Sequence, residues 1–221
     1  MTDLELSRRR LLALAGGAVL AWQARPWRLV PPSVEAQVLP GDPLIVPTLE
    51  AFADTLIPGE KRFPQDRAIA GAASGPGAVQ AGALDLITGP AAGVAALVPA
   101  IAAGLNARAA AFAATNLILL DPTVAPLVSL DFAQRSAFLV EILDGTDPDQ
   151  LLWFAVAALV FLAFHTAAHL DTVAAIAAGH PGLAAIGFPA PNPDGLWRFP
   201  VASYRRALAA KHPRSKRGSP R

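Results

Sequence analysis

Residues Leu151–Phe164 read LLWFAVAALVFLAF, fourteen consecutive positions without a polar side chain. A bilayer-spanning helix needs roughly 20 such residues, so this run is too short to cross a membrane. An apolar-all-round helix belongs inside a helical body, with neighbours on every side. The expectation is a central buried helix over 149–178, stopped by Gly179. Extending the run to Ala168 as a second membrane anchor is the alternative, but it takes in His165 and Thr166.

The rest of the chain follows the helical period. After a Pro/Gly linker at 37–43, Leu44–Ile57 places Ile45, Leu49, Phe52 and Leu56 on one side, with Glu50 and Asp54 elsewhere on the wheel. Pro58-Gly59 ends that helix, and 58–76 reads as a long loop. Helical stretches are expected near 77–88 and 91–115, the second divided or kinked by Pro99. Pro122 and Pro126 bracket another loop. A helix then opens at Ser129 or Asp131, either of which can cap it, with Phe132, Ala137, Phe138, Val140 and Leu143 on its apolar side. The five prolines of 180–200 make an extended connection before a last short helix, Val201–Lys211, carrying Tyr204 and Leu208 on one side. No alternating strand pattern is present. The fold expected is all-α, an irregular helical domain with long Pro/Gly-rich connecting segments.

The amino terminus carries an address. Ser7-Arg8-Arg9-Arg10-Leu11-Leu12 resembles a twin-arginine export signal, with Arg8 and Arg9 as the pair and Leu11–Ala21 as its short apolar segment. Arg25 and Arg28 follow, and Val34-Glu35-Ala36 offers a cleavage site; an uncleaved anchor is the alternative. The domain plan is then a signal peptide at 1–36, one helical domain at 37–204 and a basic, disordered tail at 205–221. The destination is the periplasm or the outer face of the envelope. The twin-arginine route carries folded cargo, typically loaded with a cofactor, and its translocase is the first partner.

Composition removes several classes of function. There are no cysteines, so no disulfide, thiolate metal site or iron–sulfur centre can form. The leader holds five of the 18 Lys/Arg and three of the 17 Asp/Glu, which leaves a nearly neutral body. The only basic run is the tail, so nucleic-acid binding is not expected. With 53% hydrophobic and 16% charged residues, an apolar partner surface is expected instead.

Candidate chemistry is sparse. His165 and His169 are four apart on the expected helix and would share a face; they are expected to bond backbone or carboxylate groups or to face a partner, the alternative being a zinc or haem site completed by Glu50, Asp54, Glu141 or Asp171. Thr166 stands where a zincin would place Glu. Ser74 directly precedes Gly75 and is no nucleophile elbow, and Gly75-Pro76-Gly77 reads as a turn rather than a phosphate loop. Glu50 and Asp54 share a helix face, but as solvated or ion-paired groups rather than an acid–base pair. Trp153, Trp197 and Phe199 read as core or interface anchors.

Three stretches together resemble the gluconate 2-dehydrogenase subunit 3 family: the twin-arginine leader, "LEAFADTLIPGE" (Leu49–Glu60) and "GLAAIGFPAPNPDGLWRFP" (Gly182–Pro200). "LDFAQRSAFLVEIL" suits the middle helix of that family, and Asp54, Thr55 and Pro58 carry the most specific match. The resemblance implies a non-catalytic subunit that holds no cofactor itself. It implies as partner a large FAD-bearing oxidoreductase of the glucose–methanol–choline class, often with a cytochrome subunit. The leader would then be worn for that partner, so that the folded pair is exported together. Phe188, Trp197, Phe199 and Tyr204 are the aromatic anchors expected at the interface.

Overall fold

The computed structural model describes residues 42–144, 146–193 and 197. Among them the chain is all-α, with no strand. The helices are α1 (Ile45–Leu56), α2 (Ala83–Thr88), α3 (Val98–Thr115), α4 (Pro126–Ser129), α5 (Phe132–Leu143), α6 (Gln150–Thr166), α7 (Thr172–Ala177) and α8 (Pro181–Ala185); two 3-10 turns, Pro90–Ala92 and Ala95–Leu97, lead into α3. The chain divides into two compact units between Phe188 and Pro189. The leader, the basic tail and the expected Val201–Lys211 helix lie outside the described residues.

The centre of the body is α1, not the most apolar helix. It packs against α2, α3, α4, α5 and α6, and Leu49, Ala51, Phe52 and Ala53 have no exposed surface. Its polar residues are satisfied by partners from other elements. Thr48 Oγ1 donates to the Leu44 carbonyl (2.6 Å) and accepts from Asn106 Nδ2 (2.9 Å), while Asn106 Oδ1 accepts from the Leu127 N–H (3.3 Å). One buried chain of hydrogen bonds therefore ties α1 to α3 and α4, and satisfying each group removes the desolvation penalty that burial would otherwise impose.

Helix ends follow local chemistry. Asp131, rather than Ser129, caps α5: its carboxylate accepts from Gln134 N (2.8 Å) while Gln134 Oε1 accepts from Asp131 N (2.9 Å). This reciprocal box satisfies two otherwise orphaned donors and contributes about 1 kcal/mol. Pro99 does not divide α3 but sits in its first turn, where a missing N–H costs nothing. Over 77–88 only Ala83–Thr88 is helical, because Gly82 precedes it at φ +80°.

The expected helix over 149–178 is two helices. α6 ends at Thr166, Ala167 adopts φ +47°, and the Ala168 N–H reaches back to the Leu162 carbonyl (3.4 Å) in a left-handed terminating turn. α7 then starts afresh, with Asp171 accepting from Ala174 N (2.9 Å) as its cap. By length and composition alone, Ala95–Thr115 is the one described stretch long and apolar enough to span a membrane; its Ile101, Leu105 and Ala109 are buried in the core.

Candidate functional site

The motif stretch Leu49–Glu60 builds a buried ionic knot. Glu50 and Asp54, expected to be solvated or ion-paired, are 7% and 1% exposed. Arg62 returns from the loop to fork Glu50 with Nη1 and Nη2 (2.5 and 2.8 Å), and its Nε bonds Asp66 Oδ2 (2.7 Å). Asp54 instead holds backbone: its oxygens accept from Gly59 N (3.1 Å) and Ala70 N (2.8 Å). Burial raises the Asp54 carboxyl above its usual range, against the pull of those two N–H bonds. Burial also works to raise Asp66, but the Arg62 hydrogen bond, the Ile69 N–H and the Arg62 charge outweigh it and hold that carboxyl below the usual range.

Behind the knot lies Arg135, 2% exposed. Among the described residues its guanidinium touches no carboxylate. It donates to five carbonyls: Nε to Leu127 and Leu130 (3.1 and 2.9 Å), Nη1 to Ala68 (2.7 Å), and Nη2 to Arg67 and Val128 (2.6 and 2.8 Å). Gly59 and Gly77 lie back to back, so a Cβ on Gly59 would stand 2.5 Å from Gly77 N. The pairs Pro58-Gly59 and Gly75-Pro76-Gly77 are thus one close backbone crossing, fixed by Ala78 N to the Ile57 carbonyl (3.0 Å) and Glu60 N to the Gly75 carbonyl (2.8 Å). The geometry assigns the motif to holding the 58–76 loop on α1 and α5.

His165 and His169 do not share a face. The left-handed turn at Ala167 separates them: His165 stays on α6, exposed, with Nδ1 3.0 Å from the Phe161 carbonyl, while His169 lies half-buried against Gly82. The i,i+4 argument for a metal or haem site falls with the helix it assumed. Among the described residues no group of three or more His, Asp or Glu is placed to hold a metal ion.

One run of exposed apolar side chains among the described residues lies along one side of α6. Leu151 (64%), Phe154 (49%) and Phe161 (42%) are exposed, with Ala158 and Leu162 half-exposed along the same stripe and His165 at its end. The opposite side, with Leu152, Trp153, Val156, Leu159, Val160 and Ala163, is buried. Trp153 packs on Gly104, and Arg108 lies over its ring at 5.2 Å while pairing with Asp147 and Asp149. The expectation of a helix buried all round is therefore corrected. No periodicity could have revealed the exposed stripe, because every position of Leu151–Phe164 is apolar.

Residues 44–221 match the model of a family of unknown function, DUF5987. The chain belongs to that family. The DUF5987 span opens one residue before α1 and takes in the ionic knot, the α6 stripe and every helix described. Searches of curated proteins and of solved structures find no match to the chain.

The proposed interface aromatics fare differently within this DUF5987 chain. Phe188 is half-buried in a small second cluster with Ala167, Ala175, Ile176 and Leu183, so it serves internal packing. Trp197 donates from Nε1 to the Pro189 carbonyl (2.8 Å) within the second unit. Phe199, Tyr204 and the leader arginines Arg8 and Arg9 lie outside the described residues.

Proposed function

We propose that this chain is a non-catalytic accessory and export subunit. It docks on a large flavin-dependent oxidoreductase of the glucose–methanol–choline class, which carries the FAD, and it supplies the twin-arginine address for the pair. The observation that carries this reading is the exposed apolar stripe of α6, Leu151–Phe154–Phe161, on a body whose buried ionisable groups are engaged in holding its own loops. Contiguous apolar surface of this kind marks a site of association. The Arg8-Arg9 leader and the likeness of Leu49–Glu60 to the gluconate 2-dehydrogenase subunit 3 family support the class of partner.

The test is an affinity pull-down of the full chain from its native cell, with mass spectrometry and a flavin absorption spectrum. A flavin-bearing polypeptide, and where present a cytochrome, co-purifies. Replacing Arg8 and Arg9 with lysine leaves that flavin inside the cell. Turnover of a substrate by the isolated chain, or normal export with no flavoprotein attached, overturns the reading.

A further inference from the structure

His169 and His180 meet where the α7–α8 hairpin lies on the start of α2. Their ring centroids are 5.9 Å apart. His180 is buried and bridges two elements: its Nδ1 accepts from the Leu183 N–H (3.2 Å), capping α8, and its Nε2 lies 3.0 Å from the Ala81 carbonyl, 99 residues away in sequence. The partners fix the tautomer. A backbone N–H can only donate and a carbonyl can only accept, so Nδ1 is bare and Nε2 carries the proton. A proton on Nδ1 would set two donors face to face and undo the cap.

His169 is delivered to this place by the left-handed turn at Ala167. It fits only because Gly82, at φ +80°, has no Cβ: any side chain there would collide with the imidazole Nε2 and Cε1. Its Nδ1 is buried with no hydrogen-bond partner among the described residues. The groups facing it are His180 at the cap of α8 and Asp85 on α2. Asp171, at the cap of α7, turns its carboxylate to the Ala174 N–H, and His165 on α6 stacks with Phe161.

We propose that His169 and His180 form an acid-opened clasp that holds the α7–α8 hairpin against the start of α2 and releases it when the His169 imidazole takes up a proton. A cation then replaces a neutral ring in a half-buried place beside His180, and among the described residues Asp85 is the acid that faces it. Besides this clasp, the hairpin is held by the packing of α8 on α6, where Gly182 lies against the Phe164 carbonyl. Its own buried cluster is only Ala167, Ala175 and Leu183, with Ile176 and Phe188 packed on it. Burial, reinforced by the neighbouring His180 and opposed by Asp85, lowers the His169 value below the ordinary 6.5. The sign follows. The unfolded or detached hairpin binds the proton more readily, so the clasp is fully closed above about pH 6.5 and weakens as pH falls below it. Opening uncovers the carboxyl end of α6 at Phe164, the helix whose outer stripe is apolar.

Hydrogen exchange of the full chain, corrected for the intrinsic pH dependence of exchange, tests the clasp. Between pH 7.5 and 5, protection of amides in 174–188 falls severalfold relative to α1 and α3 amides. His169→Asn abolishes most of that differential while leaving protection at pH 7.5 within about threefold of the parent. In His180→Asn the asparagine still caps α8 but has no protonatable ring, and the differential is reduced. Uniform protection from pH 7.5 to 5 in the parent overturns the proposal. So does an unchanged differential in His169→Asn, which stays decisive should the His180 variant fail to fold.

Discussion

Arg62 covers both oxygens of Glu50 with two nitrogens of one guanidinium, Nη1 at 2.5 Å and Nη2 at 2.8 Å, and its third nitrogen holds Asp66. One cation thus serves two carboxylates that are 7% and 3% exposed. Replacing Arg62 with alanine leaves both acids buried without a counter-charge. Because Arg62 is itself partly exposed, the loss is discounted to about 2 kcal/mol. Arg62→Lys keeps the charge but not the fork and loses about half as much. Urea unfolding midpoints at pH 7 check both.

Asp54 and Asp66 respond to acid in opposite directions. Asp54 is raised in the fold, so between 3.8 and its folded value the native state binds more protons than the unfolded chain, and its contribution improves as pH falls. Asp66 is lowered, so its contribution is complete above 3.8 and is lost as pH falls through its folded value. Asp54→Asn presents one amide NH2 to a backbone donor and costs about 1–3 kcal/mol at pH 7. It also removes the compensating term, so its stability falls more steeply than the parent's below pH 5. Denaturation midpoints taken across pH 3–6 would show parallel curves if this assignment is wrong.

Gly59→Ala tests the backbone crossing. Its Cβ would stand 2.5 Å from Gly77 N and 2.6 Å from Gln80 Oε1, and the first neighbour is main chain that cannot swing aside. A loss of about 2 kcal/mol is expected from overpacking. Gly75→Ala, by comparison, meets no atom within 4 Å but must hold φ +91°, so its cost is conformational and about 1 kcal/mol. Thermal unfolding of the two variants ranks them.

The two sides of α6 should separate stability from association. Phe154→Ser with Phe161→Ser leaves the unfolding midpoint nearly unchanged, within about 0.5 kcal/mol per site, and abolishes co-purification of the partner. Trp153→Ala, on the buried side, costs about 3–5 kcal/mol. Retention of the partner by the double serine variant moves the interface away from α6.

Much of the architecture was legible in the sequence. The α1 stripe of Ile45, Leu49, Phe52 and Leu56 gave that helix to within a residue at each end, and Asp131 announced the start of α5. The break at Ala167 was not legible, because an alanine in the left-handed region carries no signal of its own; the turn sets His169 against Gly82. The burial of Glu50 and Asp54 was hidden for a similar reason. Their partners are a loop arginine and two backbone N–H groups whose approach depends on the tertiary fold. The exposed stripe of α6 was hidden by uniformity, since a helix apolar on every side does not declare which side faces out.

The five carbonyls gathered by Arg135 come from residues 67–68 and 127–130, so the loop and the α4 turn share one fastening. Release of the loop costs that charge two of its five acceptors, and release of the α4 turn costs it three. A protease would therefore find the Arg67-Ala68 stretch better guarded than the exposed residues 61–65 before it. Limited digestion of the intact body should leave Arg67-Ala68 joined to α5.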